Sequence, residues 1–368
     1  MVLNAEQKCL LWLSAAEVTP GHLQNLKEKW PSAQAIWEAF GSEAGPKFQP
    51  ATEKVLKQYH SREALDELID RLDKKNVHLL FHGDEAYPQQ LSTIVDPPYL
   101  LYYAGRLSCF QKPMVAIVGT RRASSYGREM ASTLSRGLCE AGACVVSGLA
   151  RGIDEAAHQA ALNAGGSTIG VLGSGINTPY PPEHTPMLRK IAGGIGLVVS
   201  EYPLDAPPLA YHFPHRNRII AGLCMGAVLV EGKVRSGGMH TITAALAQGR
   251  EVFAVPGRVG SEGAEGPHTL LREGARVVTS AQELLEDLHL APVQIPAKKA
   301  FIFPATANAI QDRIVSLLRI EPLRQDEIAG RLSIDDETLM VELGTMEIMG
   351  IIRREAGNRF SLPVSPSR

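Results

Sequence analysis

The central part of this chain, residues 79–290, alternates short apolar runs with longer helical patterns. Each run is rich in valine and isoleucine and is apolar almost throughout, as expected of strands that are covered on both faces. Strand–helix alternation repeated this often predicts an α/β fold, with an extended Rossmann-like, doubly wound parallel sheet. The predicted strands are 115–119, 144–148, 168–173, 197–201, 227–231, 252–256 and 276–279.

The flanking residues predict smaller domains. Residues 1–78 show short helical patterns, and 19–23 resembles the turn of a helix-hairpin-helix or SAM-like module, for which we expect a packing role rather than DNA contact. Residues 291–304 predict a linker. In 305–368 three helical patterns precede a β-hairpin, which predicts a winged-helix domain. Acidic residues outnumber arginines there and lysine is absent from 305–362, so protein contact or packing is favoured over duplex binding.

Charge and cysteine content limit the partners and the compartment. The chain has 37 basic and 39 acidic residues, and the two kinds also balance within 113–290, so a nucleic-acid site must be a local patch. The five cysteines form no CxxC pair, which disfavours disulfides and metal sites and favours a reducing compartment. The sequence shows neither a secretory signal nor an apolar stretch approaching the ~20 residues of a membrane span. We therefore expect a cytoplasmic protein without a membrane partner.

Ligands of parallel α/β sheets bind beyond the carboxyl ends of the strands, so the loops there are candidate sites. The first predicted strand continues into Gly119, Thr120, Arg121 and Arg122, and Tyr126 follows. A hydroxyl, two guanidinium groups and backbone amides suit a phosphate oxyanion, although surface arginines on a turn are the alternative interpretation. The loop lacks the GxGxxG pattern and no ribose-binding carboxylate ends the second strand, so a dinucleotide cofactor is disfavoured.

A second candidate segment lies at the start of a predicted short helix. Its candidate residues are Phe213, Arg216, Asn217 and Arg218. Two arginines that flank an asparagine at a helix start predict a phosphate contact for at least one of them. The alternative is that one arginine forms a structural ion pair with Glu201 or Glu231.

A glycine-rich loop follows the fifth predicted strand and contains Lys233, Arg235, Ser236, Gly237 and Gly238. The serine is a typical helix cap, and the two glycines expose amide donors at the positive end of a helix that runs to residue 248. Such an arrangement of amides binds phosphate well, and the two neighbouring cations increase the local charge. A capped helix without a ligand is the alternative.

A further loop, with Arg151, completes the rim of the predicted site. Asp154 and His158 follow it one helical turn apart, a spacing that a catalytic or metal-binding pair requires. Because no third ligand follows at a suitable spacing, a structural or capping role is favoured for both residues, and we expect no metal.

Several segments between about 85 and 285 together resemble the DprA/Smf family, in the same order along the chain. They are Tyr87-Pro88, 117–121, 147–154, Tyr180-Pro181, Ser200-Glu201, 213–218, Ser236-Gly237 and 255–257. Two positions depart from the family pattern: His268 stands where asparagine is usual, and Met239-His240 follows the glycine pair. The flanking regions fit the SAM-like and winged-helix domains of that family.

The resemblance implies a protein that binds single-stranded DNA, forms a DNA-supported homodimer and loads the RecA recombinase in natural transformation. It implies neither catalysis nor a cofactor. It also implies that 119–121, 216–218 and 233–238 hold the DNA.

Two other classes of function stay open beside a phosphate-backbone binder that stacks bases on Phe213 or Tyr126. One is a lysine-decarboxylase-like nucleotide or phosphoribosyl hydrolase, which has a similar sheet and would use Glu201 or Glu231 as its base. Its PGGxGTxxE signature is absent, and the nearest run, 235–241, lacks the final glutamate. The other is a scaffold that only binds RecA-like partners.

Overall fold

The computed structural model describes residues 1–290, 308–318, 321–355 and 357–362. The chain divides into two compact units, Met1–Val293 and Gln294–Arg368. The predicted linker, 291–304, lies outside the described residues. Within the described ranges, every helix is too short or too polar to span a membrane.

A nine-stranded sheet forms the centre of the first unit. Its strands are β1 (His78–Phe81), β2 (Leu100–Gly105), β3 (Met114–Val118), β4 (Cys144–Ser147), β5 (Ser167–Leu172), β6 (Leu197–Ser200), β7 (Gly226–Leu229), β8 (Glu251–Ala254) and β9 (Arg276–Val277). Their order across the sheet is β1-β2-β6-β5-β4-β3-β7-β8-β9. The strands from β6 to β9 in this order are parallel, and β1 and β2 add an antiparallel edge. The predicted doubly wound α/β fold is confirmed.

Both faces of the sheet are buried, which explains why its strands are apolar throughout. In β6, Leu197 and Val199 belong to one core cluster and Val198 belongs to the cluster on the other face. Successive side chains of a strand point to opposite faces, so a strand that is covered twice needs apolar residues at every position.

Helices cover these faces. They are α6 (Gln89–Ser92), α7 (Ser125–Glu140), α8 (Ile153–Asn163), α9 (Thr185–Gly193), α10 (His212–Leu223), α11 (Gly237–Ala247), α12 (Glu265–Arg272) and α13 (Ala281–Asp287), numbered after the five N-terminal helices described below. Those from α7 to α12 connect the parallel strands. Serine side chains cap three of them, because their oxygens accept hydrogen bonds from otherwise unpaired first-turn amides. The caps are Ser124 on α7, Ser236 on α11 and Ser280 on α13.

Five N-terminal helices precede the sheet in the same compact unit: α1 (Ala5–Ala15), α2 (Pro20–Lys27), α3 (Ala33–Ala39), α4 (Pro50–Gln58) and α5 (Arg62–Lys74). They pack around the fully buried Trp12, whose indole N–H donates to the Leu56 carbonyl at 2.8 Å. Tyr99, which immediately precedes β2, joins both this cluster and the core on one face of the sheet. The N-terminal helices therefore share buried contacts with the sheet.

The connections on the two sides of β3 diverge. The chain passes from β3 through α7 to β4 on one side, and from β7 through α11 to β8 on the other. Because β3 and β7 are neighbours, the loops after them separate and leave a crevice at the carboxyl ends of the strands. The crevice brings together the loop that contains Arg121 and the loop that contains Gly237.

The described residues of the second unit form three helices and a small antiparallel sheet. The elements are α14 (Ala309–Leu318), β10 (Leu323–Arg324), α15 (Gln325–Leu332), α16 (Asp336–Ile348), β11 (Arg353–Glu355) and β12 (Arg359–Ser361), with strand order β10-β12-β11. Ile314, Leu339 and Phe360 are among the residues of its own apolar core. The arrangement is that of a winged helix, as the sequence predicts.

Candidate functional site

A cavity of about 750 Å³ lies at the crevice between the loops that follow β3 and β7. Most of the predicted phosphate-binding residues line it: Gly119, Thr120, Arg121, Arg122, Phe213, Arg216, Asn217, Ser236, Gly237 and Gly238. Three segments that are far apart in sequence thus meet at one place. The other predicted residues, namely Tyr126, Arg151, Arg218, Lys233 and Arg235, do not line the cavity.

Arg121 and Arg122 supply positive charge to this cavity. Both side chains are exposed, and neither forms an ion pair with a carboxylate in the part of the chain that the structure describes. The Arg121 guanidinium lies 5.8 Å from the centre of the Phe213 ring, and Phe213 makes an edge contact with Tyr180 at 5.6 Å. Unpaired guanidinium groups next to aromatic rings match the phosphates and bases of a nucleic acid.

The start of α11 forms another wall of the cavity. The Ser236 side chain accepts a hydrogen bond from the Met239 amide, and the Asn217 side-chain amide donates to the Gly237 carbonyl at 3.3 Å. A Cβ atom on Gly238 would lie 3.0 Å from the Cα of Gly119, so a larger residue would push the two loops apart. Glycine at 238 therefore allows the positive end of α11 to approach the loop after β3.

Arg216 lines the cavity but is held by the protein itself. It is 4% exposed and donates to the carbonyls of Gly148 (3.0 Å) and Val171. The buried Asp154 carboxylate accepts from the Gly148 amide at 3.0 Å and is the counterion of Arg216. Burial lowers the pKa of Arg216 to about 10, against the effect of Asp154, and raises the pKa of Asp154. Arg216 is a buried cation that main-chain carbonyls hold in place, with Asp154 as a nearby opposite charge.

Arg218 lies outside the cavity, in an ion pair with Glu201. Its guanidinium donates to both carboxylate oxygens, at 2.5 Å and 2.7 Å, and the side chains are 13% and 12% exposed. Of the two roles that the sequence leaves open for this arginine, the structure shows the ion pair.

Lys233 and Arg235 lie near the start of α11 but beyond the cavity wall. Lys233 is 57% exposed and forms an ion pair with Glu262, which is 81% exposed, at 2.7 Å. Arg235 is exposed and has no ion-pair partner among the described residues. Both cations remain accessible to a ligand that extends out of the cavity.

Arg151 and Tyr126 have contacts of their own. Arg151 pairs with Glu183 at 2.5 Å, which raises the pKa of the arginine, and it lines a small pocket next to the main cavity. The Tyr126 hydroxyl donates to the Pro256 carbonyl at 2.8 Å, although the ring is still 44% exposed. Tyr126 thus contacts the neighbouring loop rather than the cavity.

Asp154 and His158 contact different partners. The His158 Nδ1 lies 2.7 Å from the Thr168 hydroxyl, and burial, with smaller effects of His184 and Arg216, lowers the pKa of His158 to about 3. The structure supports the structural roles that the sequence favours for both residues. No cluster of three potential metal-binding side chains occurs among the described residues.

The two glutamates that a hydrolase would use as its base are both bound by the protein. Glu201 is held by Arg218, and Glu231 accepts hydrogen bonds from the amide and the hydroxyl of Ser124. Neither carboxylate lines the cavity.

Sequence reasoning did not include several residues that complete the lining, among them Tyr180, Pro208, Ala210, His240 and Thr241. The sequence does offer a signal for Tyr180, because Tyr180-Pro181 is one of the segments that resemble the DprA/Smf family. Pro208 and Ala210 belong to the loop between β6 and α10 and carry no local signal of a site. Only the path of that loop across the crevice brings them to the cavity.

Comparisons with known protein families agree with this geometry. The family described as DNA recombination-mediator protein A matches residues 78–289, and the DprA winged helix domain matches 303–358. Protein Smf from Synechocystis sp. is 31% identical over 97% of this chain and 99% of its own length. Protein Smf from Escherichia coli K12 is 43% identical over 64% of this chain and 63% of its own length. The match thus covers slightly less than two thirds of the E. coli relative.

Two solved structures share the fold and are also similar to this chain in sequence. DNA processing protein A from Streptococcus pneumoniae is 35% identical with a TM-score of 0.63, over 78% of this chain and 99% of that one. The Helicobacter pylori protein, reported for its unique single-stranded DNA binding mode, is 30% identical with a TM-score of 0.53, over 58% and 95%. From its fold, its cavity and these matches, the chain belongs to the DprA/Smf family of DNA-processing proteins.

Proposed function

We propose that the cavity binds the phosphate backbone of single-stranded DNA, with little base preference and without catalysis. One observation carries the proposal: Arg121 and Arg122, which form no ion pair among the described residues, line the same cavity as Gly237 and Gly238 at the start of α11. Lys233 and, to a smaller extent, Arg122 lower the pKa of the exposed Glu262. Guanidinium groups and helix-terminal amides together match the charge and the acceptor oxygens of a phosphate.

The aromatic rings of the cavity favour single strands over duplex DNA. Phe213 and Tyr180 contact each other beside Arg121, and an unpaired base has a free face to stack on such rings. Bases inside a duplex already stack on each other and offer no such face. The single-strand binding reported for the H. pylori relative supports the same choice.

Three accessible cations extend the proposed site beyond the cavity: Arg151, Lys233 and Arg235. Two of them form ion pairs with exposed glutamates, and pairs of this kind contribute only about 0–1 kcal/mol to stability. A DNA phosphate can therefore replace Glu183 or Glu262 as the partner of these cations at little cost in free energy. Arg216 and Arg218 are excluded from direct phosphate binding in this proposal, because Arg216 is buried and donates to main-chain carbonyls, and Arg218 is paired with the mostly buried Glu201.

Family membership supports a wider role. We propose that the protein acts in the cytoplasm on incoming DNA in natural transformation, protects single strands, and loads RecA recombinase as a homodimer. This part of the proposal rests on the resemblance to DprA/Smf proteins and on the relatives named DNA processing protein.

The test is a fluorescence-anisotropy titration of labelled oligo-dT with the full chain and with Arg121→Ala/Arg122→Ala. We expect weaker binding at every salt concentration, and a salt slope smaller by about 1.4, which is about 0.7 for each of two lost phosphate contacts. Arg136→Ala is the matched control, because Arg136 is an exposed arginine about three turns into α7. Unchanged affinity in the double variant would refute the proposal.

A further inference from the structure

One buried residue, Glu231, is hydrogen bonded to both ends of the loop that carries Arg121 and Arg122. The Thr120 amide donates to the main-chain carbonyl of Glu231 at 2.7 Å. At the other end of the loop, the Ser124 amide donates to Oε2 at 2.9 Å and the Ser124 hydroxyl donates to Oε1 at 2.5 Å. We propose that Glu231 is a positioning residue of the DNA site, which sets the place of the two arginines without touching DNA. The inference rests on the proposed function.

The surroundings of Glu231 leave it little freedom to move. The residue is 8% exposed, and three glycines enclose it. A Cβ atom on Gly127 would lie 2.3 Å from Oε2, one on Gly119 would lie 2.7 Å from the main-chain oxygen, and one on Gly263 would lie 3.3 Å from Cδ. Because these positions are glycines, their backbones can lie close to Glu231 and enclose it from several sides. The position of Glu231 therefore fixes the position of the arginine loop that is hydrogen bonded to it.

Glu231 also determines which groups of this loop are available to a phosphate. The Ser124 hydroxyl donates to Glu231 and accepts from the Gly127 amide at 3.0 Å, so the first turn of α7 is occupied by the protein. A carboxylate at the positive end of a helix is favourable and repels a second anion there. The Glu231 carboxylate therefore disfavours a second anion at the start of α7, whereas Gly237 and Gly238 at the start of α11 line the cavity. Glu231 thus directs the backbone toward Arg121, Arg122 and α11.

Glu231→Gln tests this role with almost no change in size. The carboxamide has one acceptor oxygen in place of two, and its NH₂ group cannot accept from the Ser124 amide or hydroxyl. One end of the arginine loop then loses a charge-assisted hydrogen bond. We expect the affinity for oligo-dT to fall by roughly tenfold, the range of one misplaced charged contact, and the salt slope to fall by about 0.7.

A double-mutant cycle separates positioning from general destabilisation. If Glu231 acts through the arginines, Glu231→Gln has no further effect in the Arg121→Ala/Arg122→Ala background. Ser124→Ala removes the hydroxyl that donates to Glu231 at the exposed end of the arginine loop. It should reproduce the loss of oligo-dT affinity even if Glu231→Gln folds poorly. Glu283→Gln is the matched control, because Glu283 accepts from the amide and hydroxyl of Thr279 in the same way, at α13. Its affinity for oligo-dT should equal that of the parent protein.

The outcomes distinguish this inference from the proposed function. If the double arginine variant binds weakly while Glu231→Gln and Ser124→Ala keep the parent affinity and salt slope, the inference is wrong and the proposed function stands. Additive losses in the cycle would also overturn it, because they would show that Glu231 affects binding by another route. If the double arginine variant binds normally, the proposed function fails and the inference fails with it. A non-additive loss with a reduced salt slope supports both.

Discussion

His158 is a buried neutral histidine, so its replacement should change how stability depends on pH. The side chain is fully buried in α8, its Nδ1 lies 2.7 Å from the Thr168 hydroxyl, and its Nε2 has no hydrogen-bond partner. Burial, together with the neighbouring His184 and Arg216, lowers the pKa of His158 from 6.5 to about 3. The folded protein therefore keeps this ring neutral well below neutral pH.

The sign of the effect on stability follows from the protonation of His158 in the folded and unfolded states. Below about pH 6.5 the unfolded chain binds a proton on His158 that the folded chain does not bind, so the free energy of unfolding falls as the pH falls. At 1.36 kcal/mol per pKa unit, the loss is about 2 kcal/mol at pH 5 and about 4 kcal/mol at pH 3, and it approaches about 5 kcal/mol only below pH 3. At pH 7.5 the contribution is close to zero.

The assay is urea unfolding of the full chain at pH 7.5 and pH 5, with His158→Gln for comparison. Glutamine does not titrate, so the variant should lose about 2 kcal/mol less stability than the parent between these pH values. His289→Gln is the control, since His289 is exposed, and it should follow the parent. Parallel pH profiles for the parent and His158→Gln would refute the buried neutral state and reopen a functional role for Asp154 and His158.

Three further predictions concern DNA binding. Phe213→Ala should weaken binding of oligo-dT and oligo-dA alike, by about 1–3 kcal/mol, in anisotropy titrations; loss for one sequence only would show base reading instead of stacking. Arg218→Ala should lower the melting temperature, because it removes the arginine partner of the mostly buried Glu201 and leaves the His215 ring at 3.4 Å, at a cost of up to ~3–5 kcal/mol. The folded variant should keep its oligo-dT affinity; weak binding by the folded variant would show that Arg218 belongs to the site. A fragment that ends at Val293 should keep its oligo-dT affinity to within about tenfold, or ~1.4 kcal/mol. The reasons are that the cavity lies in the first unit and that α16 bears carboxylates without basic residues. A larger loss of affinity would show that the second unit takes part in DNA binding.

The parallel strands could be predicted closely because burial on both faces leaves a continuous apolar run. The structure has β3 at Met114–Val118 and β7 at Gly226–Leu229, next to the predicted 115–119 and 227–231. The antiparallel strands β1 and β2 were not predicted. They precede the first strand–helix unit, and β2 joins the sheet by pairing with β6, a contact between residues distant in sequence.

The loops at the crevice could also be predicted, because the residue types that bind phosphate stand together at strand ends. The roles of individual arginines could not. Arg216 and Arg218 are two positions apart on α10, which places them about 200° apart around the helix axis, toward different neighbours. Asp154 and Glu201, the carboxylates that interact with them, come from other loops of the sheet. Which arginine meets which carboxylate depends on how those loops pack.

By itself, the sequence determined the doubly wound sheet, the winged-helix domain and the loops that line the candidate site, because periodic apolar patterns and loop residue types are local properties. Only the tertiary structure decided which charges remain available to a ligand. Arg121 and Arg122 form no ion pair among the described residues, whereas Arg216 is buried and hydrogen bonded to main-chain carbonyls, and Glu231 is occupied by Ser124. Burial and pairing arise from groups that meet only after folding, so the same residue type remains an accessible cation in one place and becomes a buried, hydrogen-bonded cation in another.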